Sequence, residues 1–364
     1  MANFPLTEMA VKMFCPDNVV QLDDAGLPSI LVYIPAFKNS DVLTGGDDSI
    51  HPAFIVNGVQ IAGFYYSKYQ NVEYKGKAYS LPAETPHLAS TFDTARDYCE
   101  GKGYGWHLST FAEWAAIALW CKKNGFLPYG NNNSGKDTRE NDYKAIPATY
   151  TSTGEIERVA TGTGPLTWSH DGTPSGIWDM NGNVWEWQSG FRLVWGELQI
   201  LANNDAADPD NPQNETSTCW KAINAADGTL VEPESKTTDT SVKTSGSTVK
   251  IDVTGSTLTF STGISNAVNA TSGCPFISVT CDETIGNAAK VLLRALALLP
   301  DEGAVSSDYE SDYLFVNNNL SERLVSRGGH WANSAGSGLF YANANASRTS
   351  AGLGFRSAYI PDIG

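Results

Sequence analysis

Gly176-Ile177-Trp178-Asp179-Met180-Asn181-Gly182-Asn183-Val184-Trp185-Glu186-Trp187 packs three tryptophans, two glycines and two asparagines into twelve residues. Glycine and asparagine enter tight turns at little cost, and large aromatics favour burial. The stretch predicts strand, tight turn, strand, set into a core, with Trp178, Trp185 and Trp187 acting first as packing residues.

Upstream of it, Ala53 to Tyr66 reads as two strands joined by Asn57-Gly58, a dipeptide suited to a two-residue hairpin turn. Thr91 to Gly103 carries Phe92, Ala95 and Cys99 at helical spacing. A second helix starts at Thr110-Phe111-Ala112-Glu113, where the hydroxyl and the carboxylate satisfy free backbone N–H groups of the first turn. It runs through Trp114, Ile117 and Cys121 to a left-handed cap at Gly125. Asn131 to Asp142 is a polar loop. Residues 1–50, with short apolar runs broken by Asp and Gly, read as a strand-forming lead-in or attachment segment.

Downstream comes a long excursion over about 203–311. Its middle, Glu232 to Thr271, is rich in Thr, Ser and Gly, and the period-two alternation around Thr248 to Val253 predicts exposed strands. A helix from about Thr284 to Leu299, ended by Pro300, closes the excursion. Asp205 to Asp210 resembles half of a calcium loop but lacks the Gly and terminal Glu of an EF-hand.

The tail, residues 327–356, alternates two kinds of sequence. Arg327-Gly328-Gly329, Gly338-Leu339-Phe340-Tyr341 and Gly354-Phe355-Arg356 have the composition of a scaffold. Between them stand His330, Ala332, Asn333, Ser334, Gly336, Ala342, Asn343, Ala344, Asn345, Ala346, Ser347, Ser350, Ala351 and Gly352. These are the residue types that an Asn codon such as AAC yields when its adenines are altered, so they are the candidate variable, ligand-binding positions. The aromatics among them, Trp331, Phe340, Tyr341 and Phe355, are expected as core pegs. Arg327, Arg348 and Arg356 are expected to pair with carboxylates or backbone carbonyls. The alternative for the whole tail is a low-complexity loop with no ligand.

Across 364 residues the chain is 41% apolar, with ten Trp and fifteen Tyr, as a globular protein with a sizeable core requires. The formal charge of −16 argues against a nucleic-acid partner, whose phosphates call for clustered Lys and Arg. The N-terminus has no basic start followed by an apolar run. The richest apolar run, Ala288 to Leu299, is broken by Lys290 and Arg294 and is too short to span a membrane. No membrane insertion and cytoplasmic synthesis without a signal peptide are therefore expected. Six cysteines are too sparse for a disulfide framework, with a Cys274–Cys281 or Cys219 pairing as the alternative to buried thiols.

Several of these words occur together in one family. Gly63-Phe64-Tyr65-Tyr66-Ser67-Lys68-Tyr69, Ala95-Arg96-Asp97-Tyr98-Cys99, Leu108 to Trp114, the Gly176–Trp187 stretch, Arg327 to Trp331 and Gly354-Phe355-Arg356 resemble, in order, the landmarks of the formylglycine-generating-enzyme family. The resemblance implies an α+β, C-type lectin-like fold. It would have a mostly antiparallel sheet core, two main helices and the 203–311 segment as an insertion, within a domain over 51–364. It further implies a structural calcium held by Asp179, Gly182, Val184 and Glu186, hard oxygen donors suited to that ion; the alternative is that Glu186 hydrogen-bonds to loop backbone.

The family's oxygen-activating enzymes bind copper through a C-terminal cysteine pair. Here no cysteine follows Cys281, so no catalytic residue and no catalytic cofactor are expected. The tail is instead similar to those of the variable proteins of diversity-generating retroelements. That likeness implies a display protein, diversified by adenine-directed mutagenesis, whose partner is a protein or carbohydrate receptor on a bacterial surface. It would sit in a virion tail, otherwise in the cytoplasm, with a homo-oligomer or tail-fibre partner open. A fixed carbohydrate- or protein-binding module is the alternative, and an oxygen-activating enzyme the remote one.

Overall fold

The computed structural model describes residues 4–363; residues 1–3 of the expected lead-in and the terminal Gly364 lie outside it. Two sheets organise the chain. The first has five strands in the order Asn18–Leu22, Pro28–Pro35, Gly63–Ser67, Ser357–Tyr359 and Trp106–Leu108, every pair antiparallel. Its fourth strand is the last strand among the described residues, so the sheet brings the two ends of the chain together. The expected lead-in supplies its first two strands, and the sheet has no break at residue 50.

The second sheet has eleven strands. Its main path runs Ser272–Pro275, Tyr313–Val316, Ala342–Ala346, Arg323–Arg327, Glu186–Val194, Glu197–Ile200, Lys250–Thr254, Thr257–Ser261 and Thr280–Cys281. Two pairings are parallel, Tyr313–Val316 with Ala342–Ala346 and Thr257–Ser261 with Thr280–Cys281; the rest are antiparallel. Every strand of the 203–311 segment belongs to this sheet or a branch of it.

Between the sheets lies the Phe111–Lys123 helix. Thr110 Oγ1 accepts from Glu113 N at 3.1 Å and Glu113 Oε2 accepts from Thr110 N at 3.0 Å, closing the capping box expected there. The helix is apolar, Glu113 apart, and buried on all sides from Phe111 to Leu119, as a helix in the centre of a core must be, and reaches solvent only in its last turn, at Lys123. Phe64 and Tyr66 from the first sheet, Trp114 and Ile117 from the helix, and Phe191, Phe260 and Leu314 from the second form one continuous core. A smaller cluster gathers Phe92, Cys99, Trp187, Leu324 and Phe355.

Three local expectations change. The Gly176–Trp187 stretch forms irregular loop up to Trp185 and strand only from Glu186. Its positive-φ Asp179, Gly182 and Asn183 interrupt the first expected strand. The Lys250–Thr254 and Thr257–Ser261 strands do pair as a hairpin, but a buried one: Ile251, Val253, Leu258 and Phe260 all face the core. Finally, Phe4–Phe14 is a helix within the segment read as strand-forming. All six cysteines are free thiols.

Candidate functional site

The tail leaves the Arg323–Arg327 strand through Gly328 and Gly329, both at positive φ (+83° and +77°). A Cβ at Gly329 would stand 2.0 Å from Ser337 Oγ, so the turn admits no side chain there. Ser337 Oγ donates to Gly328 O at 2.7 Å and pins the far end of the loop onto this turn. Inside the loop, His330 N donates to Asn333 Oδ1 at 2.8 Å and Ala332 N donates to His330 Nδ1 at 2.9 Å. Ala332 and Ser334 are left exposed, and His330, Asn333 and Gly336 half-buried.

The scaffold words that follow are buried. Leu339, Phe340 and Tyr341 enter the core, Trp114 Nε1 donates to Leu339 O at 2.8 Å, and Phe340 N donates to Asp312 Oδ2 at 2.7 Å. The Ala342–Ala346 strand then alternates. Asn343 and Asn345 are half-buried, whereas Ala342 and Ala344 are buried core residues. These two do not belong to an exposed binding face, because successive strand side chains point to opposite faces. Ala346, Ser347 and Ser350 are half-buried, and Ala351 and Gly352 exposed. Two further exposed positions, Ala335 and Thr349, lie among the candidates; both types are within reach of an altered Asn codon, which was the available signal.

Trp185 joins the two halves of this face. The His330 ring packs on the Trp185 ring with centroids 3.8 Å apart, and Trp185 Nε1 donates to Tyr341 Oη at 3.1 Å. Asn343 Nδ2 donates to the same hydroxyl at 3.4 Å. Burial in this stack holds the His330 imidazole below its usual pKa. Trp185 and Trp331 are thus half-buried supports, while Trp178 and Trp187 are core residues.

Beside Ala335 and Ser337 opens a cleft of about 190 Å³ lined by Asn132, Arg139, Asn181, Glu310, Asp312 and Leu339. Burial pushes the Asp312 carboxyl up to about 7. Arg139 is held by Asp137 at 2.7 Å and lies over the Tyr129 ring. A larger cavity of about 540 Å³, lined by Val32, Phe37, Trp120 and His170 among others, touches none of the tail residues.

The three arginines take the roles expected of them. Arg356 forms a two-pronged pair with Glu186 (Nε to Oε2 2.7 Å, Nη2 to Oε1 3.1 Å) and also donates to Trp178 O at 2.6 Å. Arg348 reaches Glu322, Asp93 and Gln213 O. Arg327 donates to Leu296 O and Ala297 O and stacks over Phe111; desolvation takes it down to about 9.

The four residues expected to hold calcium do converge, but on the side chain of Gln70. Its Nε2 donates toward Asp179 O at 3.1 Å, Gly182 O at 3.4 Å, Val184 O at 3.3 Å and Glu186 Oε1 at 3.0 Å. Asp179 contributes its carbonyl here; its Oδ2 accepts from Gly162 N at 2.7 Å. With that amide in the centre, the loop does not fit a calcium ion, which takes six to eight oxygens at about 2.3–2.6 Å. Among the described residues, no three His, Cys, Asp or Glu side chains gather in a way that could hold a metal.

Residues 49–197 match the family model described as "Sulfatase-modifying factor enzyme 1-like domain". Over those residues the chain is similar to the sulfatase-modifying factor enzyme 1-like domain. Its fold is accordingly the α+β, C-type lectin-like one, with the sheet-dominated core described above. The matched residues hold the hairpin, the Phe92–Glu100 and Phe111–Lys123 helices and the Gly176–Trp187 loop; they end before the 203–311 segment and do not include the tail. No curated protein matches the chain. Two solved structures are similar to it: the Major Tropism Determinant P3c variant, at 9% identity over 94% of this chain and 71% of that one, with a TM-score of 0.29. The second is the U1 variant of the same determinant, at 10% identity over the same shares, with a TM-score of 0.28. At these scores neither likeness bears on the role of the chain.

Proposed function

We propose that this chain is a ligand-binding display protein whose C-terminal face is diversified by adenine-directed retroelement mutagenesis. One observation carries the reading. The tail separates into buried framework words and a surface of small residues, and the positions that an altered Asn codon would produce fall mainly on the surface side. Surface changes away from packing typically cost no more than about 0.5 kcal/mol, so such a face tolerates variation that a core would not. The absence of cysteine after Cys281 supports a binding role over the family's copper chemistry.

The ligand is a protein or carbohydrate receptor on a bacterial surface, and the protein acts from a phage or prophage tail, where many copies would compensate for weak single sites by avidity. Sequencing the tail-coding DNA across a population tests this. Substitutions should concentrate at the exposed and half-buried positions and trace to adenines in a near-copy of the segment. A uniform tail with no such copy overturns the reading. It would favour a fixed binding module instead, for which the cleft lined by Arg139, Glu310 and Asp312, all outside the variable set, is the natural seat.

A further inference from the structure

We infer that the side-chain amide of Gln70 takes the place of the calcium ion in this loop, so that the platform beneath the tail is built without a divalent cation. Four oxygens that would surround an ion, from Asp179, Gly182, Val184 and Glu186, instead surround one amide nitrogen at 3.0–3.4 Å. The two amide hydrogens are shared among the four, with the shortest contacts to Glu186 Oε1 at 3.0 Å and Asp179 O at 3.1 Å; all four are far longer than metal–oxygen bonds, and an ion cannot share the centre with the amide.

The orientation of that amide is fixed from its other end. Gln70 Oε1 accepts from Asn183 Nδ2 at 2.8 Å, and Asn183 Nδ2 also donates to Val159 O at 3.2 Å. Rotating the amide would set NH2 against NH2 on one side and add a fifth oxygen to the cluster on the other. Charge balance agrees. Arg356 occupies both oxygens of Glu186, so the one carboxylate in the centre already has its cation. Asp179 Oδ1 is the single buried oxygen of these four residues that lacks a partner, far short of the shell calcium needs.

The tail rests directly on this loop. Gly182 N donates to Gly328 O at 2.9 Å, Trp331 N to Asn183 O at 3.3 Å, and Trp185 carries the His330 ring. A cation-free loop therefore means a display face whose shape does not follow calcium or chelators.

The test is thermal unfolding of the full chain in millimolar CaCl2 and in excess EDTA, with equilibrium dialysis of radioactive calcium alongside. The midpoint should agree between the two buffers to about 1 °C, and dialysis should give no tight site. Calcium at about 100 times its Kd would raise the midpoint by roughly 3–4 °C in a chain of this size, reversibly with EDTA; that result overturns the inference. Gln70→Glu adds an oxygen where the nitrogen stood and should make the midpoint calcium-responsive by several degrees. A Gln70→Glu protein that folds and stays indifferent to calcium also overturns it, since an ion-shaped centre would then be lacking. If that variant fails to fold, the wild-type pair of measurements decides alone. None of these outcomes depends on what the tail binds.

Discussion

The Gly176–Trp187 loop and the His330–Gly352 tail touch each other, yet they satisfy their polar groups in opposite ways. In the loop the bonds come from far along the chain: Gln70 is 116 residues from Glu186, and Arg356 is 170. In the tail many are local, such as His330 N to Asn333, Ala332 N to His330, and Ser347 N to Ser350 Oγ at 3.0 Å. A long-range bond lost leaves a buried group with no substitute partner, whereas a local one lost rearranges a turn beside water. The pairing of these two regions teaches how one domain can be rigid at its base and permissive on its face.

The sharpest way to break this comparison is to remove Glu186. Glu186→Ala leaves the Arg356 guanidinium buried without its counter-charge, and breaking a buried pair in this way costs about 3–5 kcal/mol. Urea unfolding should register a loss of that size, or no soluble folded protein at all. A loss under about 1 kcal/mol would mean that the platform is no more constrained than the tail. Next comes the Ala342–Ala346 strand, where the two regimes alternate residue by residue. Ala344→Asn puts an amide into the core and should cost roughly 2–4 kcal/mol from overpacking and an unmet polar group. Asn345→Ala, one residue along, removes only a bond to Thr271 and should cost less than about 1 kcal/mol.

That strand also marks what could be read from the chain alone. Ala-Asn-Ala-Asn-Ala is a period-two pattern, and the parity of the strand would have sent Ala342 and Ala344 inward and the asparagines outward. The Asn57-Gly58 hairpin, the Thr110–Glu113 capping box and the arginine roles were legible because each rests on a short-range rule or on a cation that must find partners. Gln70 was not legible. It lies beside a landmark word, but nothing local in Lys68-Tyr69-Gln70-Asn71 says that its amide ends among carbonyls more than a hundred residues on. The burial of the 250–261 hairpin was hidden for a similar reason. Its buried polar side chains find partners outside the hairpin: Lys250 donates to Glu234 at 2.7 Å, and Asp252 Oδ1 accepts from Asn266 N at 2.8 Å.

The cleft at the foot of the tail sharpens the comparison through pH. Burial raises the Asp312 carboxyl to about 7 from an ordinary 3.8, with Arg139 and Arg327 pulling it down and Glu310 pushing it up. A raised carboxyl binds its proton more tightly in the folded state. Its contribution to stability is therefore full below about pH 4 and is lost as pH climbs through about 7. Asp312→Asn imitates the protonated group, so its stability should gain on the wild type between those limits, by on the order of 1–3 kcal/mol. Urea midpoints of both proteins at the two ends of this range check the sign; an equal gap at both ends would remove Asp312 as the titrating group.

The smallest expected effects lie on the face itself, and their smallness is what matters. Ala332, Ser334 and Ala351 are exposed, and none anchors a long-range side-chain bond. Changing Ala332 or Ala351 to Tyr should move stability by no more than about 0.5 kcal/mol, a midpoint shift of roughly 2 °C or less, while Ser334→Tyr, at a φ of +57°, should cost up to about 1 kcal/mol. Ala332 and Ser334 are close enough to couple, so their double variant needs its own measurement, while Ala351 should add independently. Tyr is the informative choice because aromatic residues supply most of the energy in binding hot spots, and the small side chains now present offer little. A face that accepts tyrosines without loss of fold has its stability elsewhere and its sequence free for a ligand. If any one of the three instead costs more than about 1.5 kcal/mol, that position belongs with Leu339 and Phe340 in the framework, and the binding surface is smaller by one.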